Sequence, residues 1–318
     1  MKYIIGMDGG GTKTRCIITD IEGEALYECT GGPSNFLIIG VMPASKNIFS
    51  LMKQCVNKLK ISYRDIDILL LGTAGAGRKI DAGKFETAFK KYLKEKNIIL
   101  KKFIVESDAK IALEADFPGT PGCILIAGTG SIIMGKDSDG NIYRAGGFGR
   151  HLGDEGSGYV LGRKALTAAA KEYDGRGTAT LITKLLKEKF KINSAEDLIA
   201  EIYHKKFDAA SVAPLLLKAA ELNDHAALKI IDEEIEELLA HIKAMAAKIN
   251  DHELNVALSG SLLDKDNIYS RRLKEKLKQL PSIILKDTEN EPAIGAVLLA
   301  KSYLSQKANK SKNNVEKG

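Results

Sequence analysis

Glycines, threonines and a carboxylate are grouped near the N-terminus in a pattern that could bind phosphate. The segment reads Asp8-Gly9-Gly10-Gly11-Thr12-Lys13-Thr14 and follows an apolar stretch. Consecutive glycines leave backbone N–H groups uncovered and able to approach phosphate oxygens, the threonines add hydroxyls, and Asp8 could hold a hydrated Mg²⁺ ion. The segment indicates a phosphate-binding loop, although a glycine-rich hairpin of this kind is as often a simple turn.

The two most familiar nucleotide motifs do not describe this loop. The chain continues into a strand pattern and not into a helix, so the segment is neither G-x-G-x-x-G nor a Walker A loop. The later segment 72–77 has the Walker glycine spacing but continues Arg78-Lys79, where the motif requires lysine followed by serine or threonine. If the first loop binds phosphate, it does so in another way.

A second glycine loop, Gly128-Thr129-Gly130-Ser131, occurs in the other half of the chain. Like the first loop, it follows an apolar strand pattern and precedes two further strand patterns around a turn. Thr12 and Thr129 are 117 residues apart, as are the turn glycines Gly23 and Gly140. These spacings predict two halves built on one plan, with two loops that could hold one nucleotide from both sides.

Asp108 is a further candidate for chemistry. It follows the predicted strand 103–105, and ligands of open α/β sheets bind beyond the carboxyl ends of strands. An aspartate at this place can act as the general base that removes a proton from an attacking hydroxyl. It can equally cap the N-terminus of the predicted helix 109–115, and its position alone does not decide between the two.

Residues 145–158 form the densest group of glycines and polar side chains in the chain. Six glycines in 14 residues bury little apolar surface, so packing in a core does not explain them. The carboxylate of Asp154 can accept hydrogen bonds from two neighbouring sugar hydroxyls, and the ring of Phe148 can stack on a pyranose face. The segment indicates a sugar-binding loop, and the alternative is a flexible linker.

The remaining sequence predicts how these segments are held. Strand and helix patterns alternate in both halves, which indicates an α/β fold of two domains, 1–118 and 119–291. The second domain carries a helical insertion, 153–250, and a helix at 292–304 is expected to pack back on the first domain. An apolar stripe in the insertion favours a core helix over a dimer seam; its residues are Leu228, Ile231, Ile235, Leu238, Ile242, Met245 and Ile249.

Composition excludes several classes of protein. Of the 318 residues 44% are hydrophobic and 28% charged, and no apolar run approaches the ~18 residues of a membrane helix. No signal-peptide pattern precedes Asp8, so the cytoplasm is the expected compartment. Lysine and arginine exceed aspartate and glutamate by 47 to 41, but much of this surplus lies in a tail, 306–318, that is predicted to be disordered. We expect neither a nucleic-acid nor a membrane partner.

The cysteines give no sequence motif for a metal or a disulfide. They are widely separated, and neither a C-x-x-C pair nor nearby histidines at zinc spacing accompany them. Reduced, unliganded thiols are therefore expected at Cys16, Cys29, Cys55 and Cys123.

These motifs, in this order, resemble the nucleotide-binding elements of the actin/Hsp70/sugar-kinase superfamily. The resemblance covers residues 1 to about 304 and rests on the two glycine loops and on Gly72-Thr73-Ala74-Gly75, Ser259-Gly260-Ser261 and Pro292-Ala293-Ile294-Gly295-Ala296. Within the superfamily, Pro33-Ser34-Asn35, Glu106-Ser107-Asp108-Ala109 and residues 146–159 are similar to the BadF/BadG/BcrA/BcrD-type family. The similarity is to its N-acetylglucosamine kinase branch and to the bacterial N-acetylmuramate/N-acetylglucosamine kinases.

The resemblance implies two duplicated ribonuclease-H-like (actin-like ATPase) domains and a role for each matching residue. Asp108 matches the catalytic aspartate, and Asn35, Gly147, Phe148 and Asp154 match positions that bind the amino sugar. ATP and Mg²⁺ are the implied cofactors, with Asp8 contacting the metal through water. The nucleotide-binding residues are Asp8, Gly10, Gly11, Thr12, Lys13, Thr129, Gly130, Asn223, Gly260 and Ser261. Phe148 stands where the vertebrate pattern has tryptophan, and Thr73-Ala74-Gly75 where it has Ser-Gly-Gly, which leaves the identity of the sugar open.

The expected reaction is transfer of the γ-phosphoryl group of ATP to O6 of N-acetylglucosamine or N-acetylmuramate, in salvage of cell-wall sugars, by a homodimer. One alternative within the family is an ATP-driven activator of a 2-hydroxyacyl-CoA dehydratase, which needs cysteines that share an Fe–S cluster between subunits. Only Cys123 lies near the predicted domain junction. A glucosamine kinase, a non-catalytic nucleotide-dependent binder and a nucleic-acid binder acting through the lysine-rich tail are the others.

Overall fold

The structure is a computed structural model that describes residues 1–204, 207–250, 252–287 and 291–315, with residues 204 and 306–315 described by their backbone alone. The chain forms two units. The first contains residues 1–119 and the C-terminal segment that begins at 289, and the second contains residues 120–288.

The first unit is built on a five-stranded sheet. Its strands are β1 (Tyr3–Gly9), β2 (Thr14–Asp20), β3 (Ala25–Gly31), β4 (Ile66–Thr73) and β5 (Phe103–Glu106). They lie in the order β3-β2-β1-β4-β5, with β1 antiparallel to β2 and parallel to β4. β1 and β4 are apolar and buried along most of their length, as strands covered on both faces must be, whereas the edge strand β3 is much more exposed.

Helices cover this sheet and lead into the predicted binding segments. They are α1 (Phe36–Ile39), α2 (Val41–Leu59), α3 (Lys79–Lys94) and α4 (Asp108–Asp116). α2 and α3 place buried residues such as Ile48, Leu51, Phe85 and Phe89 in one core with Ile5 and Leu69 of the sheet. The burial of these apolar faces holds the helices on the sheet.

The second unit repeats this architecture. Its strands are β6 (Gly122–Ala127), β7 (Ser131–Lys136), β8 (Ile142–Gly146), β9 (Leu254–Ser259) and β10 (Ile283–Lys286), in the order β10-β9-β6-β7-β8. Its first three strands form an antiparallel meander and β9 lies parallel to β6, as β4 lies parallel to β1. The helices are α5 (Gly158–Tyr173), α6 (Leu181–Phe190), α7 (Ala195–His204), α8 (Ala213–Glu221), α9 (His225–Ile249) and α10 (Ile268–Lys278).

The spacing of 117 residues describes the first three strands of the two units closely. β2 and β7 begin 117 residues apart, at Thr14 and Ser131, and β3 and β8 do so at Ala25 and Ile142. The correspondence is lost afterwards, because five helices, α5 to α9, separate β8 from β9. One strand order in two units confirms the predicted duplicated ribonuclease-H-like (actin-like ATPase) fold.

The last helix, α11 (Pro292–Val315), packs in the first unit against α4 and β1. Ala293, Ala296, Val297 and Ala300 are buried there, in contact with Ile4 and Ile111. The helix extends into the segment that was predicted to be disordered from residue 306, because neither glycine nor proline interrupts residues 305–315. Residues 316–318 of the predicted tail lie outside the described residues.

The apolar stripe of α9 lies in the core of the second unit. Ile231, Ile235, Leu238, Ile242 and Met245 are completely buried in the same cluster as β6 and β9. The stripe is therefore used within the unit, as the core-helix interpretation expected, and is not a free dimer seam. Among the described residues no helix is long and apolar enough to cross a membrane.

Candidate functional site

Three predicted binding segments meet at one edge of the sheet in the first unit. β1, β4 and β5 are parallel neighbours, so their carboxyl ends lie at the same edge. The strand register places Asp8, Gly72 and Glu106 in one row across these strands. The first glycine loop, the segment that begins at Thr73 and the segment that contains Asp108 follow this row.

The first glycine loop is a tight turn attached to the segment predicted to bind sugar. Gly10 N–H donates to the Lys13 carbonyl at 2.9 Å, while the Gly10 carbonyl accepts from the N–H groups of Ser34 and Asn35 at 3.1 and 3.2 Å. The hydroxyl of Thr14 donates to Ser34 Oγ at 2.8 Å. Gly11, Thr12 and Lys13 remain exposed at the tip of the turn, where a ligand can reach them.

Asn35 connects this turn to the end of β4. Its side-chain oxygen caps α1 by accepting from Leu37 N–H at 3.2 Å, and the residue is almost completely buried. A Cβ atom placed on Gly75 would lie 3.0 Å from the same oxygen. Asn35 and the segment Thr73-Ala74-Gly75, both predicted to lie on the sugar side, are therefore neighbours.

Asp108 is the first residue of α4, and it does not cap the helix. The cap is Ser107, whose hydroxyl accepts from Lys110 N–H at 3.2 Å. The Oδ1 atom of Asp108 accepts from the N–H of Ala109 at 2.8 Å, and burial raises the pKa of the carboxyl. The capping interpretation of Asp108 is wrong because the preceding serine fills that place, which leaves the carboxylate available for chemistry.

Asp8 is electrostatically coupled to Asp108. Burial is the largest cause that raises the pKa of Asp8 to about 6, and the negative charge of Asp108 raises it further against the opposing charges of Lys13 and Arg15. Two carboxyls that disfavour each other's ionisation form a site where a cation is stabilised.

Glu106, the third acid of this edge, is already paired. Its Oε1 atom accepts from Lys110 Nζ at 2.9 Å and from the hydroxyl of Tyr303 on α11. The sequence comparison quoted Glu106 only as part of a motif. Its observed role is to tie α11 to the end of β5 beside Asp108.

Gly295 lets α11 approach the helix that carries Asp108. A Cβ atom at this residue would lie 1.8 Å from the carbonyl oxygen of Ile111 in α4, a distance at which the two helices would have to separate. The glycine of the predicted Pro292–Ala296 element therefore fixes the position of α4, and with it the position of Asp108.

In the second unit, residues 145–158 fold onto the second glycine loop. Gly128 N–H donates to the Gly130 carbonyl at 2.9 Å, and the Gly128 carbonyl accepts from Gly158 N–H at 2.7 Å. Tyr159 N–H donates to the Thr129 carbonyl at 3.2 Å. Fixed hydrogen bonds of this kind contradict the flexible-linker interpretation.

Asp154 lies directly against the second glycine loop. Its Oδ1 atom accepts from Gly149 N–H at 3.2 Å, and its Oδ2 atom lies 3.0 Å from where a Cβ atom of Gly130 would be. Burial raises the pKa of this carboxyl. The residue predicted to bind sugar is thus adjacent to the loop predicted to bind phosphate.

Phe148 presents most of its ring to solvent. The side chain is 63% exposed, and the guanidinium of Arg144 lies 5.0 Å from the ring centroid. An exposed aromatic ring in an otherwise ordered loop is a surface on which a sugar can stack. Gly147, the preceding residue, has a left-handed backbone with φ +70°.

Two buried residues that the sequence analysis missed hold this loop in place. The carboxylate of Glu234 accepts from Gly156 N–H at 2.6 Å, and the hydroxyl of Tyr269 donates to the Gly156 carbonyl at 2.9 Å. Lys164 Nζ lies 2.7 Å from the other oxygen of Glu234 and neutralises it. A signal was present, because Glu234 is an acid on the buried apolar face of α9.

Gly260 and Ser261 lie next to the second glycine loop. Gly260 has φ +100°, and a Cβ atom there would be 2.4 Å from the carbonyl oxygen of Ala127. The hydroxyl oxygen of Ser261 lies 3.7 Å from the corresponding position on Gly128. The ends of β6 and β9 thus bring together the segments predicted for the phosphates and for adenosine.

Asn223 stands apart from these segments. It lies in the turn between α8 and α9 with φ 61°, a left-handed conformation that asparagine tolerates well. Its N–H donates to the Ala220 carbonyl at 2.9 Å, and among the described residues no hydrogen bond links it to Gly260 or Ser261. The turn is therefore sufficient reason for an asparagine here.

Cys123 does not support the activator alternative. The side chain is completely buried in β6, where it belongs to the core of the second unit. A cluster shared between subunits requires thiolates at a surface, so this residue is not placed for that role.

Two units with one strand order, each with a glycine loop after its first strand, define a nucleotide-binding protein of the actin-like ATPase class. The chain belongs to the BadF/BadG/BcrA/BcrD ATPase family, whose sequence model matches residues 5–300.

Similar proteins have been described as sugar kinases. The chain is 33% identical to an N-acetylmuramic acid/N-acetylglucosamine kinase of Clostridium acetobutylicum, over 95% of this chain and 99% of that protein. It is 30% identical to an N-acetyl-D-glucosamine kinase of Dictyostelium discoideum, over 94% and 98% respectively. Among solved structures, a candidate N-acetylglucosamine kinase from Chromobacterium violaceum aligns with a TM-score of 0.74 at 26% identity, covering 94% of this chain and 99% of that one.

Proposed function

We propose that this protein transfers the γ-phosphoryl group of ATP to O6 of N-acetylglucosamine or N-acetylmuramate. The observation that carries the proposal is the state of Asp108. Its carboxylate follows β5 at the edge where the binding segments of the first unit meet, and Ser107 relieves it of capping α4. The named activities of the full-length relatives support the same reaction.

In this reaction Asp108 acts as the general base. It accepts the proton of the sugar hydroxyl while that oxygen attacks the γ-phosphorus and ADP departs. Burial raises the pKa of Asp108, and a base whose pKa is closer to the working pH holds the proton more effectively in the transition state. The hydrogen bond from Ala109 N–H fixes the orientation of the carboxyl.

The amino sugar is bound by Asn35, Gly147, Phe148 and Asp154. Phe148 contributes its exposed ring, and Asp154 contributes a carboxylate that can accept hydrogen bonds from sugar hydroxyls. Because Phe148 is smaller than tryptophan, the sugar pocket has room that the relatives with tryptophan lack. This favours testing the larger N-acetylmuramate beside N-acetylglucosamine.

The nucleotide is bound by the two glycine loops and by the segment after β9. Gly10, Gly11, Thr12 and Lys13 bind phosphate oxygens in the first loop, as Thr129 and Gly130 do in the second. Gly260 and Ser261 contact the adenosine, and Asn223 contributes a further contact. The exposure of Gly11, Thr12 and Lys13 supports this assignment for the first loop.

Mg²⁺ fits the acidic edge of the first unit. Hard oxygen ligands are the ones it prefers, and the mutual repulsion of Asp8 and Asp108 is relieved by a cation. Asp8 would hold the ion through water. When bound, Mg²⁺ neutralises charge that develops on the phosphates.

A coupled kinase assay with a panel of sugars tests the proposal. The panel contains N-acetylglucosamine, N-acetylmuramate, glucosamine, N-acetylmannosamine and glucose, and a 6-deoxy analogue of the best substrate tests O6 as the acceptor. We expect the highest kcat/KM with one of the first two sugars and no transfer to the 6-deoxy analogue. A preference for glucosamine would support the alternative amino-sugar kinase, and failure with every sugar would overturn the proposal.

Two finer properties belong to the same proposal. A kinase that consumes ATP meets it in the cytoplasm, the compartment expected from the sequence. The proposed homodimer cannot use the apolar stripe of α9, since that stripe is buried within the second unit. Light scattering of the purified protein at several concentrations tests for a dimer.

A further inference from the structure

Three cysteines from distant parts of the sequence converge in the first unit. The sulfur atoms of Cys16, Cys29 and Cys55 all lie within 4.8 Å of one another. The Sγ atoms of Cys16 and Cys55 are 3.5 Å apart. The proposed kinase reaction does not use this group of residues, which we call the cysteine triad.

Strand register and helix packing create the triad. Cys16 on β2 and Cys29 on β3 are direct partners in an antiparallel pair, so their side chains lie on the same face of the sheet. Cys55 comes from α2, which packs against β3 on that face. All three side chains are therefore held by regular secondary structure and not by a loop.

We propose that the cysteine triad binds one thiophilic metal ion of the Zn²⁺ type through three thiolates, with water as the fourth ligand. Zinc–sulfur bonds of about 2.3 Å place the sulfurs of a tetrahedral site roughly 3.8 Å apart. The observed separations bracket that value, from 3.5 Å between Cys16 and Cys55 to the limit of 4.8 Å. Small side-chain rotations are sufficient to complete the site.

Burial differs among the three sulfurs in a way that suits a site with one open position. Cys16 and Cys55 are completely buried, whereas Cys29 is only partly buried. Cys29 therefore provides the route by which an ion enters and a water ligand remains. A site with three protein ligands and one water is an established coordination for Zn²⁺.

The thiols are also prepared to lose protons to a metal. Hydrogen bonds from Cys16 and then from Cys55 lower the pKa of Cys29, so its thiolate is the first ligand available. The same interactions, with Cys29 and then Cys55, raise the pKa of Cys16 together with burial. An incoming cation replaces the shared protons, and metal binding should release them.

A positive charge lies at the rim of the triad. The ammonium of Lys58 on α2 is 5.9 Å from the ring centroid of Tyr27. Tyr27 is two residues from Cys29 on β3, and Lys58 is nearly one helical turn from Cys55. Three thiolates with Zn²⁺ carry a net negative charge, which this lysine partly compensates.

Metal titration of the reduced, metal-free, full-length protein tests the proposal. Zn²⁺ is added in competition with a chromophoric chelator, and Cd²⁺ serves as a probe whose thiolate-to-metal absorption reports sulfur ligation. We expect one equivalent of bound metal, and loss of affinity by about 100-fold or more in Cys29→Ser, since even supporting residues of such sites contribute 10–100-fold.

Cys123→Ala is the matched control, because Cys123 is an equally buried cysteine in the other unit. It should bind metal as the wild type does. Cys29→Ser is chosen because its partly exposed position makes it the substitution least harmful to folding, and a thermal melt checks that it is folded. Zn²⁺ should raise the Tm of the wild type and of Cys123→Ala but not of Cys29→Ser.

Three results would overturn the proposal. The first is no thiolate absorption with Cd²⁺, and the second is equal binding by the wild type and Cys29→Ser. The third is a disulfide within the triad in protein that was purified without reductant and that, after reduction, takes up no metal.

Discussion

Asp8 and Asp108 lie close enough in the first unit for the charge of Asp108 to raise the pKa of Asp8, in addition to the larger effect of burial. Asp8 is on β1 and Asp108 follows β5, with β4 between these two strands. The parallel arrangement of the three strands is what brings the two carboxyls to one edge. It separates their proposed tasks, with Asp8 on the metal side and Asp108 on the hydroxyl that is to be phosphorylated.

We expect Gly260→Ala to weaken the nucleotide site. The new Cβ atom would lie 2.4 Å from the Ala127 carbonyl oxygen at a residue with φ +100°, a conformation that costs an alanine about 1–3 kcal/mol. The Tm should fall, and KM for ATP should rise more than KM for the sugar.

Gly83→Ala is the control for this substitution. Gly83 is exposed within α3, and a Cβ atom there meets nothing within 4 Å. Alanine should be neutral or stabilise the helix by about 0.5–1 kcal/mol. Equal stability and equal KM for ATP in both variants would contradict the assignment of Gly260.

Glu234→Gln should loosen the loop that carries Asp154. Glu234 is buried and holds Gly156 N–H and Lys164, so the substitution leaves Lys164 without a charged partner at that oxygen. We expect a loss of about 1–3 kcal/mol in the free energy of unfolding and a higher KM for the sugar.

The neighbouring Glu233 provides a matched comparison. It also contacts Lys164, at 2.8 Å, but is largely exposed. Glu233→Gln should therefore change stability by no more than about 0.5 kcal/mol. Denaturant unfolding and sugar kinetics of the two variants decide the matter, and identical behaviour would argue against a positioning role for Glu234.

Leu238→Ala should destabilise the second unit. Leu238 is completely buried in the apolar stripe of α9, and truncation of a buried leucine costs about 2–5 kcal/mol. Ile80→Ala, at a side chain that is 73% exposed on α3, should cost much less. If the stripe were a dimer seam instead, the midpoint of wild-type unfolding would rise with protein concentration, so chemical denaturation at several concentrations distinguishes the two.

Asp116→Asn should change how stability depends on pH. Burial raises the pKa of Asp116 to about 6, and its Oδ1 atom is buried without a hydrogen-bond partner among the described residues. The folded state therefore binds a proton that the unfolded state has already released, and stability falls as the pH rises from about 4 to about 6. Asparagine removes this contribution. The free energy of unfolding of the variant, relative to the wild type, should increase across that interval, and a constant difference would show that Asp116 is not the group concerned.

Much of the fold could be predicted because it follows from local patterns. Apolar strands that end in glycines located β1, β4, β6 and β9, and the repeated spacing of the two halves predicted the duplication. The glycine loops and Asp108 were found for the same reason, since each directly follows a strand.

Contacts between distant segments were the part that could not be predicted. The capping of α4 depended on whether Ser107 or Asp108 occupies the cap, a shift of one residue. The cysteine triad depends on the register of β2 with β3, which places Cys16 opposite Cys29 although no spacing in the sequence indicates it. The clamp on Gly156 combines α9 with Tyr269 of α10, from segments more than 70 residues away.

The turnover number of Asp108→Asn tests the central claim most directly. Asp116→Asn, at the other end of the same helix, is the control, and sugar binding is measured separately by calorimetry. The account predicts that kcat of Asp108→Asn falls by about 10²–10⁴ while the sugar still binds, and that Asp116→Asn turns over as the wild type does. Near-normal turnover of Asp108→Asn with ATP and the preferred sugar would contradict it.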